Sequence, residues 1–274
     1  MQFDVNGMSV FAATGGRKFN AKQPSLVFLH GAGMDHTVWA LQSRYFAGRG
    51  YNVLALDLPG HGKTGGDALG SIDAMADWVI TILDALGIVK AVLIGHSMGS
   101  LIALDMAARH APRASGLGLL GTAAQMPVNE VMLNAAAEDR QEAIDMVTGF
   151  GFGPAGHVGG NRGPGLWMMG GGQRLMQTVI AQSPRVLYHD LKACNDFAHG
   201  AEHAAAVTQP SFLILGHQDK MTPAKAGQKL AQAMTAIDDG PVVTMLDGVG
   251  HMMMLEAPDP TLDAIIAGVK AAAA

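Results

Sequence analysis

Gly95-His96-Ser97-Met98-Gly99 stands between an apolar run at 91–94 and a helix-like stretch at 98–110. A serine on so sharp a strand-to-helix turn has its hydroxyl pushed clear of the backbone. Strand and helix then approach closely, so the positions two before and two after it must be small. Gly95 and Gly99 meet that demand. A helix start also aims backbone N–H groups and the positive dipole end at developing negative charge. The chemistry that suits this arrangement is nucleophilic attack by Ser97 on an acyl carbon.

A serine hydroxyl is a weak nucleophile at its own pKa and needs a base within hydrogen-bond reach. His251, in Asp247-Gly-Val-Gly-His251, follows the last apolar run at 242–246. An imidazole in that role needs a carboxylate to hold its tautomer and stabilise the imidazolium. Asp219 follows the run at 211–215 in Gly216-His-Gln-Asp219. The alternative acid position, after the run ending at Leu120, holds no acid before Glu130. His96 adjoins the serine, but its side chain is expected to point into the fold, as packing. An oxyanion would be met by the N–H of Met98 and by that of Ala32, in His30-Gly31-Ala32-Gly33 after the run at 25–29.

The elements that must position these groups follow from the apolar pattern. Short runs rich in strand formers occur at 2–5, 9–13, 25–29, 52–56, 91–94, 116–120, 211–215 and 242–246. Asn6-Gly7 suits a tight hairpin between the first two. A helix is expected at 71–86, with Ser71 as N-cap and Gly87 past its end. The helix at 98–110 stops before Pro112. Buried strands alternating with amphipathic helices predict a mainly parallel eight-stranded sheet covered on both faces, with an antiparallel hairpin at one edge. The alternation fails from 122 to 208, where helices are expected at 128–148, 173–182 and 185–199. Eleven glycines crowd the 24 residues from Gly149 to Gly172. That centre reads either as a mobile lid or as close-packed turns. The expected division is a core at 1–121 and 209–274 carrying a cap at 122–208.

Bulk properties narrow the partners. The 274 residues carry a net charge of −5 with no basic cluster, so nucleic acid and anionic membrane surfaces are not expected partners. No basic n-region precedes an apolar run at the start, and no stretch reaches the ~18 apolar residues of a membrane span. A single cysteine, Cys194, allows no internal disulfide. The expectation is a soluble cytoplasmic protein, monomeric or a homodimer, acting on a small-molecule ester-like substrate.

The ordered set of motifs resembles the α/β-hydrolase superfamily along nearly the whole chain. The matches are HGAG at 30–33, Asp57-Leu-Pro-Gly-His-Gly62, GHSMG at 95–99, Asp219 and then His251. The resemblance implies acyl or related hydrolysis without a cofactor, a Ser, Asp, His chain order, and a variable cap after the sixth strand. It does not choose among esterases, lactonases, C–C bond hydrolases and amidases. An aspartate nucleophile is ruled out by serine at position 97.

Weaker signals bear on the substrate. Met34, Met98 and Met252 adjoin candidate catalytic elements, and Trp167, Met168 and Met169 lie in the glycine-rich segment. With Met34, Trp167, Met168 and Met252 lining a pocket, the substrate would be moderately large and apolar beside its acyl carbon. Arg162 and Arg174 could pair with a substrate carboxylate, as a dioxo acid would require; solvated surface charge is the plainer reading. His199 and His203 are spaced like metal ligands, but no H-E-x-x-H pattern accompanies them, and no metal is expected. Cys194 reads as packing. Hydrolysis of a carboxylic ester of a small to medium, largely apolar substrate through an acyl-enzyme leads, followed by C–C hydrolysis of a dioxo acid, and then by a non-hydrolytic binder or lyase that keeps the triad.

Overall fold

The computed structural model describes residues 1–157, 160 and 168–273. Its strands are β1 Gln2–Val5, β2 Met8–Ala13, β3 Ser25–Leu29, β4 Asn52–Leu56, β5 Ala91–His96, β6 Ala114–Leu120, β7 Ser211–Gly216 and β8 Val242–Leu246. The helices preceding β7 are α1 Ala40–Ala47, α2 Ile72–Ala85, α3 Met98–Arg109, α4 Glu130–Ala137, α5 Gln141–Gly151, α6 Met168–Gln182, α7 Val186–Asp196 and α8 Gly200–Ala206. After it come α9 Ala224–Ala233, α10 Met253–Glu256 and α11 Pro258–Ala273.

The strands form one sheet in the order β1-β2-β4-β3-β5-β6-β7-β8. Pairing is antiparallel for β1 with β2 and β2 with β4, and parallel everywhere else. Every residue of β3, β4, β5 and β7 is buried, which is why these strands read as unbroken apolar runs rather than alternating ones. Helix α3 is buried along nearly its whole length, packed on β5 and β6 beneath α2 and α8. Helix α11 lies on β6, β7 and β8 and touches α1. Ser71 caps α2 through a side-chain bond from the Ala74 N–H, as expected from its type and place.

The register matters most for chemistry. Leu29 stands opposite Gly95, His96 opposite Leu120, Leu120 opposite Ile214, and Gly216 opposite Leu246. The parallel strands therefore end together, and whatever follows them emerges along one edge.

Between β6 and β7 the helices differ from those expected. The apolar period over 128–148 suggests one helix, but α4 and α5 are separated at Asp139, whose φ is 52°. The break is fixed from a distance: both Asp139 carboxylate oxygens accept the Arg185 N–H, at 2.8 and 3.0 Å. Arg185 itself is left-handed, with φ 63°, and α7 starts there. The expected helix at 185–199 ends at Asp196, with His199 becoming the N-cap of α8. Helix α6 begins at Met168, ahead of the expected 173, and runs through three glycines. Gly172 is one of them, and a Cβ there would lie 2.9 Å from the Phe152 ring. Close approach to that ring offsets the low helix propensity of glycine. The described part of the glycine-rich centre is thus partly close packing around Phe152.

Candidate active site

Ser97 occupies the turn between β5 and α3 with φ 53° and ψ −119°. For a residue with a side chain this is a strained conformation, costing on the order of 1–3 kcal/mol, and it persists only where the surroundings over-determine it. They do so here. The Ser97 N–H donates to the Leu120 carbonyl at 2.9 Å, and the Ser97 carbonyl accepts from the Ser100 N–H at 2.8 Å and the Ser100 hydroxyl at 2.6 Å. A Cβ on Gly95 would lie 2.0 Å from the Gly99 carbonyl oxygen, and one on Gly99 would lie 2.2 Å from that of Leu29. Both glycines are therefore steric requirements of the turn.

The His30–Gly33 loop comes alongside. A Cβ on Gly31 would stand 3.2 Å from the Ser97 Cβ. The Met98 N–H opens the first turn of α3, where an amide has no acceptor within its own helix. The Met98 side chain is fully buried in the core, so only its backbone is available to the site.

His251 and Asp219 meet from the loops after β8 and β7. His251 Nδ1 lies 2.8 Å from Asp219 Oδ2. Asp219 is otherwise saturated by the Met221 N–H at 2.9 Å, the Thr222 N–H at 2.8 Å and the Thr222 hydroxyl at 2.8 Å. Burial alone would raise this carboxyl, but the His251 imidazole and the bonds from His251 and Thr222 outweigh it and hold the group below its ordinary value. The Asp219 carboxylate fixes the His251 tautomer with hydrogen on Nδ1 and leaves Nε2 as an acceptor.

Three further groups hold His251. His96, expected as packing, is fully buried and also donates from Nε2 to the His251 carbonyl at 2.8 Å. Burial first, then the neighbouring His251, push the His96 ring down to about 3, so it is neutral, and its Nδ1 has no partner among the described residues. The Glu256 carboxylate accepts the N–H groups of Gly153, Gly250 and Met252 at 2.8, 3.0 and 3.1 Å. It thereby ties the His251 loop to the end of α5, as does the bond from the His251 N–H to the Gly151 carbonyl at 2.7 Å. Finally, a Cβ on Gly121, where φ is +54°, would stand 2.9 Å from His251 Nδ1. Sequence reasoning did not find Thr222, Glu256 or Gly121. Gly121 and Thr222 have one local signal, a glycine or a polar residue in the loop after a strand, and Glu256, at the end of α10, has none.

Ser97, His251, Ala32, Met34 and Met252 line a common cavity of about 50 Å³. Its other described walls are Met126, Pro127, Val128, Val147, Leu191, Cys194, Met221 and Thr222. Met34 and Met252, two of the four expected pocket residues, lie in this lining. Met168 packs elsewhere against the core, outside the lining, and Trp167 and Arg162 fall outside the described residues. Arg174 is exposed on α6 and does not line the cavity. Cys194, read as packing, is buried but forms part of the wall; burial and then the nearby Asp190 push its thiol up, so it stays protonated. The rings of His199 and His203 stack at 5.6 Å. A wider surface groove of about 660 Å³ on α4 and α5 includes none of the candidate catalytic residues.

Eight strands in this order and an exposed-edge serine at the β5–α3 turn define an α/β hydrolase. The chain belongs to the alpha/beta hydrolase family, whose family model matches residues 26–264. It is 31% identical over 254 residues to a pimeloyl-[acyl-carrier protein] methyl ester esterase of Aromatoleum aromaticum, covering 86% of this chain and 94% of that one. It is 28% identical over 255 residues to a putative non-heme haloperoxidase of Mycobacterium phage D29, covering 88% and 85%. Among solved structures, the enol-lactonase of Burkholderia xenovorans shares the fold, with a TM-score of 0.83 at 23% identity over 98% of this chain and 100% of that one. The protein is thus a hydrolase with esterase-like relatives.

Proposed function

We propose that this protein hydrolyses carboxylic esters of small, largely apolar acids through an acyl-enzyme on Ser97. The observation that carries the reading is the 2.8 Å pairing of His251 with Asp219 at the cavity onto which the strained Ser97 turn opens. With Nδ1–H bonded to Asp219, His251 Nε2 is free to take the Ser97 proton as the hydroxyl attacks the ester carbon. The oxyanion that forms is met by the N–H groups of Ala32 and Met98. His251 then returns the proton to the departing alcohol, and water repeats the sequence on the acyl-enzyme.

The cavity wall supports a neutral acyl group. Among its described residues there is no lysine or arginine, and most are methionine, leucine, valine, alanine or proline. A dioxo acid would bring a carboxylate into this wall without a cation to meet it, so C–C hydrolysis ranks below ester hydrolysis. Segment 122–208 supplies Met126, Val147, Leu191 and Cys194 to the wall, which supports its reading as a cap over the site.

Replacing Ser97 with alanine should lower turnover of p-nitrophenyl esters at least ~10³-fold without changing the circular dichroism or melting cooperativity. Across acetate, butyrate and octanoate the intact enzyme should favour the shorter acyl chains. Near-normal turnover by Ser97→Ala would remove the assignment, and a preference for octanoate would remove the small-acid reading alone.

A further inference from the structure

Asp190 lies on α7, outside every motif read from the sequence, yet its carboxylate reaches the loops after β3 and β4. Its Oδ2 accepts the Gly33 N–H at 2.8 Å and stands 2.8 Å from His61 Nε2. On the other side of that ring, His61 Nδ1 stands 3.0 Å from the Pro59 carbonyl. Burial works against a charge on His61, but the neighbouring Asp190 and the hydrogen bonds to Asp190 and Pro59 outweigh it and raise the ring above its ordinary value, in favour of the imidazolium. The pair is a buried ion pair, with side-chain exposures of 1% for His61 and 0% for Asp190. Replacing such a pair by apolar residues is often neutral or stabilising, so stability alone is a weak account of it.

What the pair holds is the backbone beside the serine. Gly33 follows Ala32 directly and takes φ +65°, and a Cβ there would lie 3.0 Å from Leu187 Cδ1. Leu187 is on α7 as well, one turn before Asp190. Helix α7 thus meets Gly33 twice, with an apolar stop and a charge-assisted hydrogen bond of the strong kind. A shift in the Gly33 amide rotates the peptide next to it, which carries the Ala32 end of the loop.

We propose that Asp190 is a positioning residue: through Gly33 it sets the Ala32 N–H at the oxyanion site, so that α7 is part of the catalytic wall. The inference rests on the ester-hydrolase reading of Ser97 and Ala32. It makes turnover depend on α7 being seated, in a way that simple coverage of the cavity would not.

The test compares Asp190→Ala and the nearly isosteric Asp190→Asn with the intact protein. Turnover of p-nitrophenyl acetate is expressed per serine titrated by a fluorophosphonate, so that a smaller folded fraction does not register. The expected result is a ~10–10²-fold fall in kcat per titrated site, with KM within about threefold and Asn milder than Ala. The Gly33 amide proton resonance should move upfield in both variants as the charged acceptor is lost. If Asp190→Ala does not fold, Asp190→Asn decides. Unchanged kcat per titrated site would reduce Asp190 to a structural tie and overturn the proposal. An unmoved Gly33 resonance would overturn the link itself. If the intact protein neither labels nor turns over ester, the hydrolase reading fails instead, and the amide resonance still judges the link.

Discussion

Asp219 does two things that can be separated by pH. Its carboxyl is held below its ordinary value of 3.8, so between those two values the unfolded chain binds the proton and the fold does not. The stability it contributes is therefore complete above about pH 4 and lost as pH falls through the folded value. Asp57 is lowered as well, chiefly by hydrogen bonds from His36 acting against burial, and it adds a similar acid loss that is independent of the site. Asp219→Asn should consequently melt with a shallower decline between pH 5 and pH 3 than the intact protein, in thermal scans at closely spaced pH. At pH 7 its kcat should fall roughly 10³–10⁴-fold, since an amide no longer fixes the His251 tautomer. Parallel acid declines would mean that Asp219 is not an ionised partner of His251. At this scale the pairing of His251 with Asp219 beside the cavity that Ser97 lines could be anticipated, because type, order and position after a strand all point to these three candidates. The groups that hold them were not legible. His96 acts on a carbonyl 155 positions away and Asp190 on an amide 157 positions away, and neither link leaves a local pattern.

Strands that are buried on both faces announced themselves as apolar runs, and their order of appearance fixed which loops share an edge. The helices between β6 and β7 were harder to read, because partners distant in sequence decide where they stop. The Asp139–Arg185 contact breaks one apolar period into α4 and α5, and the Phe152 ring admits glycines into α6. The short helix α10 carries the other decisive tie, through Glu256. Burial is the largest influence on that carboxyl and raises it, against the three backbone N–H groups that it accepts. Glu256→Ala leaves those amides without an acceptor, and each unsatisfied buried group costs about 1–3 kcal/mol. Hydrogen exchange at Gly153, Gly250 and Met252 should accelerate, and kcat should drop several-fold as the His251 loop loosens. Unchanged exchange at these three amides would contradict the clamp.

For the molecule as a whole, one sheet edge collects everything on which the account depends. The Gly31–Gly33 loop, the Ser97 turn, Gly121, Asp219 and His251 follow five parallel strands that end in register. The opposite end of these strands contributes none of them. Among the described residues, no helix is long and apolar enough to cross a membrane. The claim that organises these parts is an activated serine at position 97. Mass spectrometry after treatment with a fluorophosphonate, followed by peptide mapping, tests it most directly. One adduct is expected, on Ser97, with ester turnover lost in proportion to labelling. Folded protein that stays unmodified, or that carries the adduct on another residue while Ser97 is free, would contradict it.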